Sequence, residues 1–153
     1  MAAIILLICI HKVTERSLYR LKELEMPWWD SVCECINQGD VLRTPGTIHG
    51  ARRKNFTILS KDAAVIRIDS GSPIKIQREC FDAIETVFNR NPSLWLRVAS
   101  VKDNEPLPNS ADKLIRNATG SNLARGHYVC AMLEHCGFVK YSRRCNWKVI
   151  VLY

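Results

Sequence analysis

The final stretch of the chain, residues 121–153, narrows the possible folds more than any other. It reads SNLARGHYVCAMLEHCGFVKYSRRCNWKVIVLY. Val129, Met132, Leu133 and Cys136 recur at i, i+3, i+4 and i+7, which predicts a helix over 121–136 with one buried stripe. Ser121 or Asn122 can cap its start, and Gly137 stands where a left-handed residue commonly ends a helix. Two runs rich in β-branched and aromatic residues follow, at 138–141 and 147–152. They flank Ser142-Arg143-Arg144-Cys145-Asn146 and predict a hairpin with a basic turn.

Charge is concentrated on the same stretch. The chain carries +7 overall, and from Ala111 onward seven Lys and Arg stand against Asp112 and Glu134 alone. A positive end of this kind favours a polyanionic partner, most often nucleic acid, over a merely solvated basic face. With 153 residues, 47% of them hydrophobic and 24% charged, the chain has material for one domain with its own core.

Seven cysteines, an odd number, fall partly on predicted apolar faces, where a free thiol packs as a small hydrophobe. That usage points to a reducing compartment, the cytoplasm or nucleoid. The apolar run at 1–10 is too short to span a bilayer, and it lacks the early charge and cleavage site of a signal peptide. It is expected to be a buried strand or residues upstream of the native start, with a membrane anchor as the weaker alternative. Residues 1–25, including a helical fragment at 17–24, form an uncertain leader.

The remainder divides at 26–76 and 77–153, expected to pack as one unit. Pro27 can begin a helix in which Trp28, Val32 and Ile36 repeat every fourth residue before Gly39 stops it. The tryptophans are expected in the core. Strands at 41–44, 55–59, 64–68 and 74–76, separated by turn clusters, read as an antiparallel meander. A basic loop at 49–54 either touches phosphate or is solvated. Cys80, Phe81, Ile84, Val87 and Phe88 stripe a helix over 79–90, followed by a short strand at 94–98. An exposed loop at 103–109 leads to a helix at 111–117 capped by Ser110. The fold class is α+β: a helix and β-meander packed with the C-terminal half.

From Glu79 the order is helix, strand, helix, turn, helix, strand, basic turn, strand. With Gly120-Ser121 in the turn, the 128–133 helix and Cys136-Gly137-Phe138-Val139 leading into the hairpin, this half resembles the winged helix-turn-helix family. The helix-plus-meander segment ahead of it resembles an accessory module of restriction-system proteins. The first resemblance implies a recognition helix in the major groove and a wing on the backbone. Carried over, Asn122, Arg125 and His127 would face bases, and Ser121 with the first helix amides would meet phosphate. Arg143, Arg144 and Lys148 in the wing, with Arg116 and Lys140, would neutralise phosphates.

Other chemistries find little support. The carboxylate-and-lysine set of a metal-dependent nuclease is missing, as are a Gly-rich phosphate loop and a dinucleotide fingerprint. His127, Cys130, His135 and Cys136 supply zinc-ligand types but at poor spacing for a tetrahedral site, and a Cys130/His127 nucleophile pair lacks a group to orient the base. The expected protein is therefore non-enzymatic, without cofactor, metal, small-molecule substrate or membrane, and binds DNA, duplex DNA foremost. The alternatives are a protein–protein adaptor, or the specificity part of a restriction or other nucleic-acid-processing system.

Overall fold

The computed structural model describes residues 26–45, 53–98, 106–144 and 147–153. Predictions made for the leader, for 49–52 of the basic loop and for 103–105 of the 103–109 loop lie outside the described residues. Pro27 starts α1 (Trp28–Cys35) from the N-cap position, and its carbonyl accepts from the amides of Asp30 and Ser31. The Trp28 amide, left over at the helix start, donates to Glu85 Oε2 at 3.1 Å. Trp28 stacks on Phe138 with ring centroids 5.0 Å apart, and Trp29 meets Phe81 edge-on at 5.3 Å. Both tryptophans are core residues.

Four strands follow in chain order across one antiparallel sheet: β1 (Val41–Arg43), β2 (Asn55–Lys61), β3 (Val65–Asp69) and β4 (Pro73–Gln77). Strand alternation puts Phe56, Ile58, Ile66, Ile68 and Ile76 inward, all fully buried. A register shift between Ile58 and Ser60 bends β2. The predicted strands are thus present, with ends moved by one or two residues.

Next comes α2 (Glu79–Arg90), whose stripe of Cys80, Phe81, Ile84 and Phe88 is buried as its spacing predicts, with Val87 packed at its margin. The strand expected at 94–98 shrinks to β5 (Leu96–Arg97). It lies at the edge of a second antiparallel sheet with β6 (Val139–Arg144) and β7 (Trp147–Leu152), in the order β5-β7-β6. Between them run α3 (Ala111–Thr119) and α4 (Gly126–His135). Ser110 caps α3, its hydroxyl accepting from the Lys113 amide at 3.1 Å. Gly120 and Gly137 follow the two helices with φ of 63° and 80°, a conformation that favours glycine.

One apolar core joins both halves of the chain. At its centre is α4. Residues 128–133 of this helix are all buried, so it is apolar on every side, not along one stripe. The meander flanks it through Tyr128, whose ring meets Phe56 edge-on at 5.2 Å and whose hydroxyl lies 2.7 Å from Ser70 Oγ. Elsewhere it contacts α2, α3 and β6.

Candidate nucleic-acid interface

The residues expected to read bases and bind phosphate divide sharply when placed in the fold. The first correction concerns the helix itself, which begins at Gly126 and not at Ser121. Residues 121–125 are extended or irregular, and the Ser121 hydroxyl accepts from the Leu123 amide at 3.3 Å instead of capping a helix. The cap comes from far away in sequence. Asp112, on α3, accepts the amides of Arg125 and Gly126 on Oδ1 at 2.9 and 3.1 Å. These amides are therefore occupied by a carboxylate and do not await a phosphate, contrary to the expectation for Ser121 and the first turn.

Asp112 also corrects the role given to Arg116. Its Oδ2 receives Arg116 Nε at 2.8 Å, and both side chains are buried. A guanidinium so paired belongs to the α3–α4 junction and not to a phosphate-facing surface. Arg125 is corrected as well. It is only 7% exposed, and its Nε and Nη1 are buried with no hydrogen-bond partner among the described residues. Its charge is felt inside the protein at Cys80, whose thiol burial pushes up to about 11 while the Gln77 amide and Arg125 pull the other way.

His127 is half-buried. Desolvation lowers its pKa below 6.5, and Lys54 acts in the same direction while Asp112 opposes. Asn122 is exposed on the α3–α4 connection, beside Leu123 at 59% exposure.

Lys140 and Arg143 are exposed on β6. Arg144 and Lys148 belong to β6 and β7 by backbone, whereas their side chains and the 145–146 connection lie outside the described residues. The register sets Arg143 directly opposite Lys148, so two basic residues share a cross-strand position.

The structure also gathers residues that sequence reasoning did not connect. A cleft of about 280 Å³ runs between β1 and the C-terminal half of α4, lined by Arg43, Thr44, Arg53, Glu134, His135 and Tyr141 among others. Arg43 and Arg53 come from the meander and Tyr141 from β6. Arg143 stands two residues beyond Tyr141 and so projects from the same face of β6. Burial raises the pKa of Tyr141, with Arg53 close enough to oppose the shift. The one signal available in sequence was the basic run ending in Arg53-Lys54; nothing marked Arg43.

The zinc-type residues do not converge: among the described residues no group of three or more His, Cys, Asp or Glu side chains is arranged to hold a metal ion. Cys130 is fully buried inside α4 and burial raises its thiol pKa, so it is held as the neutral thiol. Among the described residues no helix is long and apolar enough to cross a membrane. No protein-family model, no curated protein and no solved structure matches this chain.

Proposed function

We propose that this chain is a non-enzymatic nucleic-acid-binding protein, with duplex DNA as the expected partner. The contact surface is the wing together with the β1–β2 end of the meander, and α4 serves as scaffold. The order of α2, β5, α3, α4, β6 and β7, with strand order β5-β7-β6, supports a winged helix-turn-helix reading of the C-terminal half. In that family the helix corresponding to α4 would present its outer face to the major groove. Here the meander packs against α4 through Tyr128, so groove reading through Arg125 and His127 gives way to backbone contact.

The observation that carries this reading is the convergence of Arg43 and Arg53 with Tyr141 on one cleft, with Arg143 on the same strand face. Glu134 sits in that cleft too and trims its positive potential, which suits phosphate contact by the arginines at its rim more than an anion held deep inside. The test is a salt-dependent titration against duplex DNA, single-stranded DNA and RNA. Unchanged affinity and salt dependence in Arg53→Ala/Arg143→Ala would sink the interface.

A protein–protein adaptor role is the second reading, favoured by the meander-covered α4 and by Leu123 standing exposed on the α3–α4 connection. No duplex binding at low salt, together with capture of a partner polypeptide that Leu123→Asp abolishes, would favour it. A place as the specificity part of a nucleic-acid-processing assembly is compatible with the first reading and needs a catalytic partner chain.

A further inference from the structure

Arg125 stands at the N-cap position of α4 with a buried side chain. The residue is 7% exposed, and its Nε and Nη1 are buried without a hydrogen-bond partner among the described residues. None of the ion pairs among those residues includes it. The carboxylate at its backbone, Asp112, is committed elsewhere. Oδ1 accepts the amides of Arg125 and Gly126, and Oδ2 accepts Arg116 Nε at 2.8 Å. Arg116 is itself buried, at 8% exposure. Among the described residues, the α3–α4 junction thus encloses two guanidinium groups and one carboxylate, at the positive end of α4.

A buried cation can be relieved in three ways. It can lose its proton, which a lysine does and an arginine does not. It can bond to water, which satisfies the N–H groups and leaves the charge uncompensated. It can take an anion, which does both. We propose that Arg125 holds a small inorganic anion, between chloride and phosphate in size, as a fixed part of the α3–α4 junction. The anion accepts from the buried guanidinium, the α4 dipole favours its charge, and Arg116 offsets repulsion by Asp112. At 7% exposure the site is closed to the backbone of a nucleic acid. It is therefore distinct from the exposed arginines of the proposed interface and would serve equally in an adaptor.

The consequence is a stability that follows anion concentration. The folded protein presents the site and the unfolded chain does not, so each tenfold rise in anion above half-saturation adds the same increment. For a chain of 153 residues that increment is about 3–5 °C in melting temperature.

The test uses the full-length protein, with sodium gluconate exchanged for sodium chloride or sodium phosphate at fixed ionic strength. The expected result is a melting temperature that climbs with the logarithm of chloride or phosphate concentration in wild type, a rise that Arg125→Met loses. Crystals give the position without any variant, with bromide in place of chloride or arsenate in place of phosphate. The anomalous peak of the stabilising anion's stand-in should lie within hydrogen-bond distance of Arg125 Nε or Nη1. The proposal is overturned if neither anion raises the melting temperature or if Arg125→Met keeps the same rise. It is equally overturned if the crystals show no anion at Arg125, or show its guanidinium paired with a carboxylate of this chain.

Discussion

Asp112 and Gly126 pack so closely that the backbone of one leaves no room for a side chain on the other. The Gly126 amide donates to Asp112 Oδ1 at 3.1 Å, and a Cβ on Gly126 would lie 2.9 Å from Asp112 N and 3.0 Å from the Val98 carbonyl oxygen. None of these obstructing atoms belongs to a flexible side chain, so the backbone itself would have to move. Gly126→Ala is therefore expected to destabilise the protein by about 1–3 kcal/mol, as overpacked sites do, despite alanine's better helix propensity. Urea unfolding should show the loss; an alanine variant as stable as wild type would mean that α3 and α4 are not packed this closely.

Asp112 does two jobs with one carboxylate, capping α4 and pairing with Arg116. Asp112→Ala removes both and leaves a buried guanidinium without its carboxylate, at a cost of about 3–5 kcal/mol. Asp112→Asn keeps an oxygen for the two amides but loses the charge opposite Arg116, so its loss should be smaller. Chemical denaturation of the two variants ranks them. Equal losses would show that the ion pair, and not the capping, carries the effect.

The hydroxyl of Tyr128 joins α4 to the turn after β3 through Ser70 Oγ. Tyr128→Phe keeps the ring against Phe56 and should cost about 0.5–1.5 kcal/mol, the worth of an ordinary hydrogen bond. Tyr128→Ala also removes the ring and should cost about 3–5 kcal/mol. Hydrogen exchange in α4 and β2 should speed up together in the alanine variant, because the ring ties the meander to the C-terminal half.

Those three sites mark where sequence stopped being informative. The α2 stripe, the meander strands, the Ser110 cap and Gly137 were readable because their signals are local: periodicity, a hydroxyl at the right offset, a glycine where φ turns positive. The start of α4 was not, because its cap comes from Asp112 on another helix, and no spacing rule links residue 112 to residue 126. The fate of Arg116 and Arg125 was equally hidden, since a guanidinium looks the same in sequence whether packed inside or solvated. One clue was present in the sequence: Tyr128 to Leu133 is a continuous apolar run, which signals a helix covered all round and not a groove-reading helix with a polar face. The cleft could not be seen at all, because Arg43 and Tyr141 are brought together only by the packing of β1 against α4.

His127 gives a pH dependence of definite sign. Desolvation lowers its pKa in the folded protein below the ordinary 6.5. Above that value the residue is neutral in both states and contributes no slope. As pH falls through 6.5 the unfolded chain takes up a proton that the folded protein resists, so stability declines, and the decline ends once pH passes the lower folded pKa. His127→Gln should flatten this part of the stability–pH curve measured by urea unfolding between pH 7.5 and 5. An unchanged curve would assign the slope to other groups.

The last expectation separates the arginines proposed to contact phosphate from an arginine that builds the fold. Arg53 and Arg143 are exposed on the proposed interface, whereas Arg125 is buried at the start of α4. Each phosphate contact removed should reduce the slope of log affinity against log salt by about 0.9 on duplex DNA. Arg53→Ala and Arg143→Ala should therefore each flatten the slope by roughly that amount, and together by nearly twice as much if the sites act independently. Arg125→Met keeps the buried stem, removes the buried guanidinium, and should change stability while leaving the slope where it was. Measuring all three variants by fluorescence anisotropy across a salt series distinguishes the two surfaces. A slope that responds to Arg125 and ignores Arg53 and Arg143 would return recognition to the start of α4 and require the meander to move away from it.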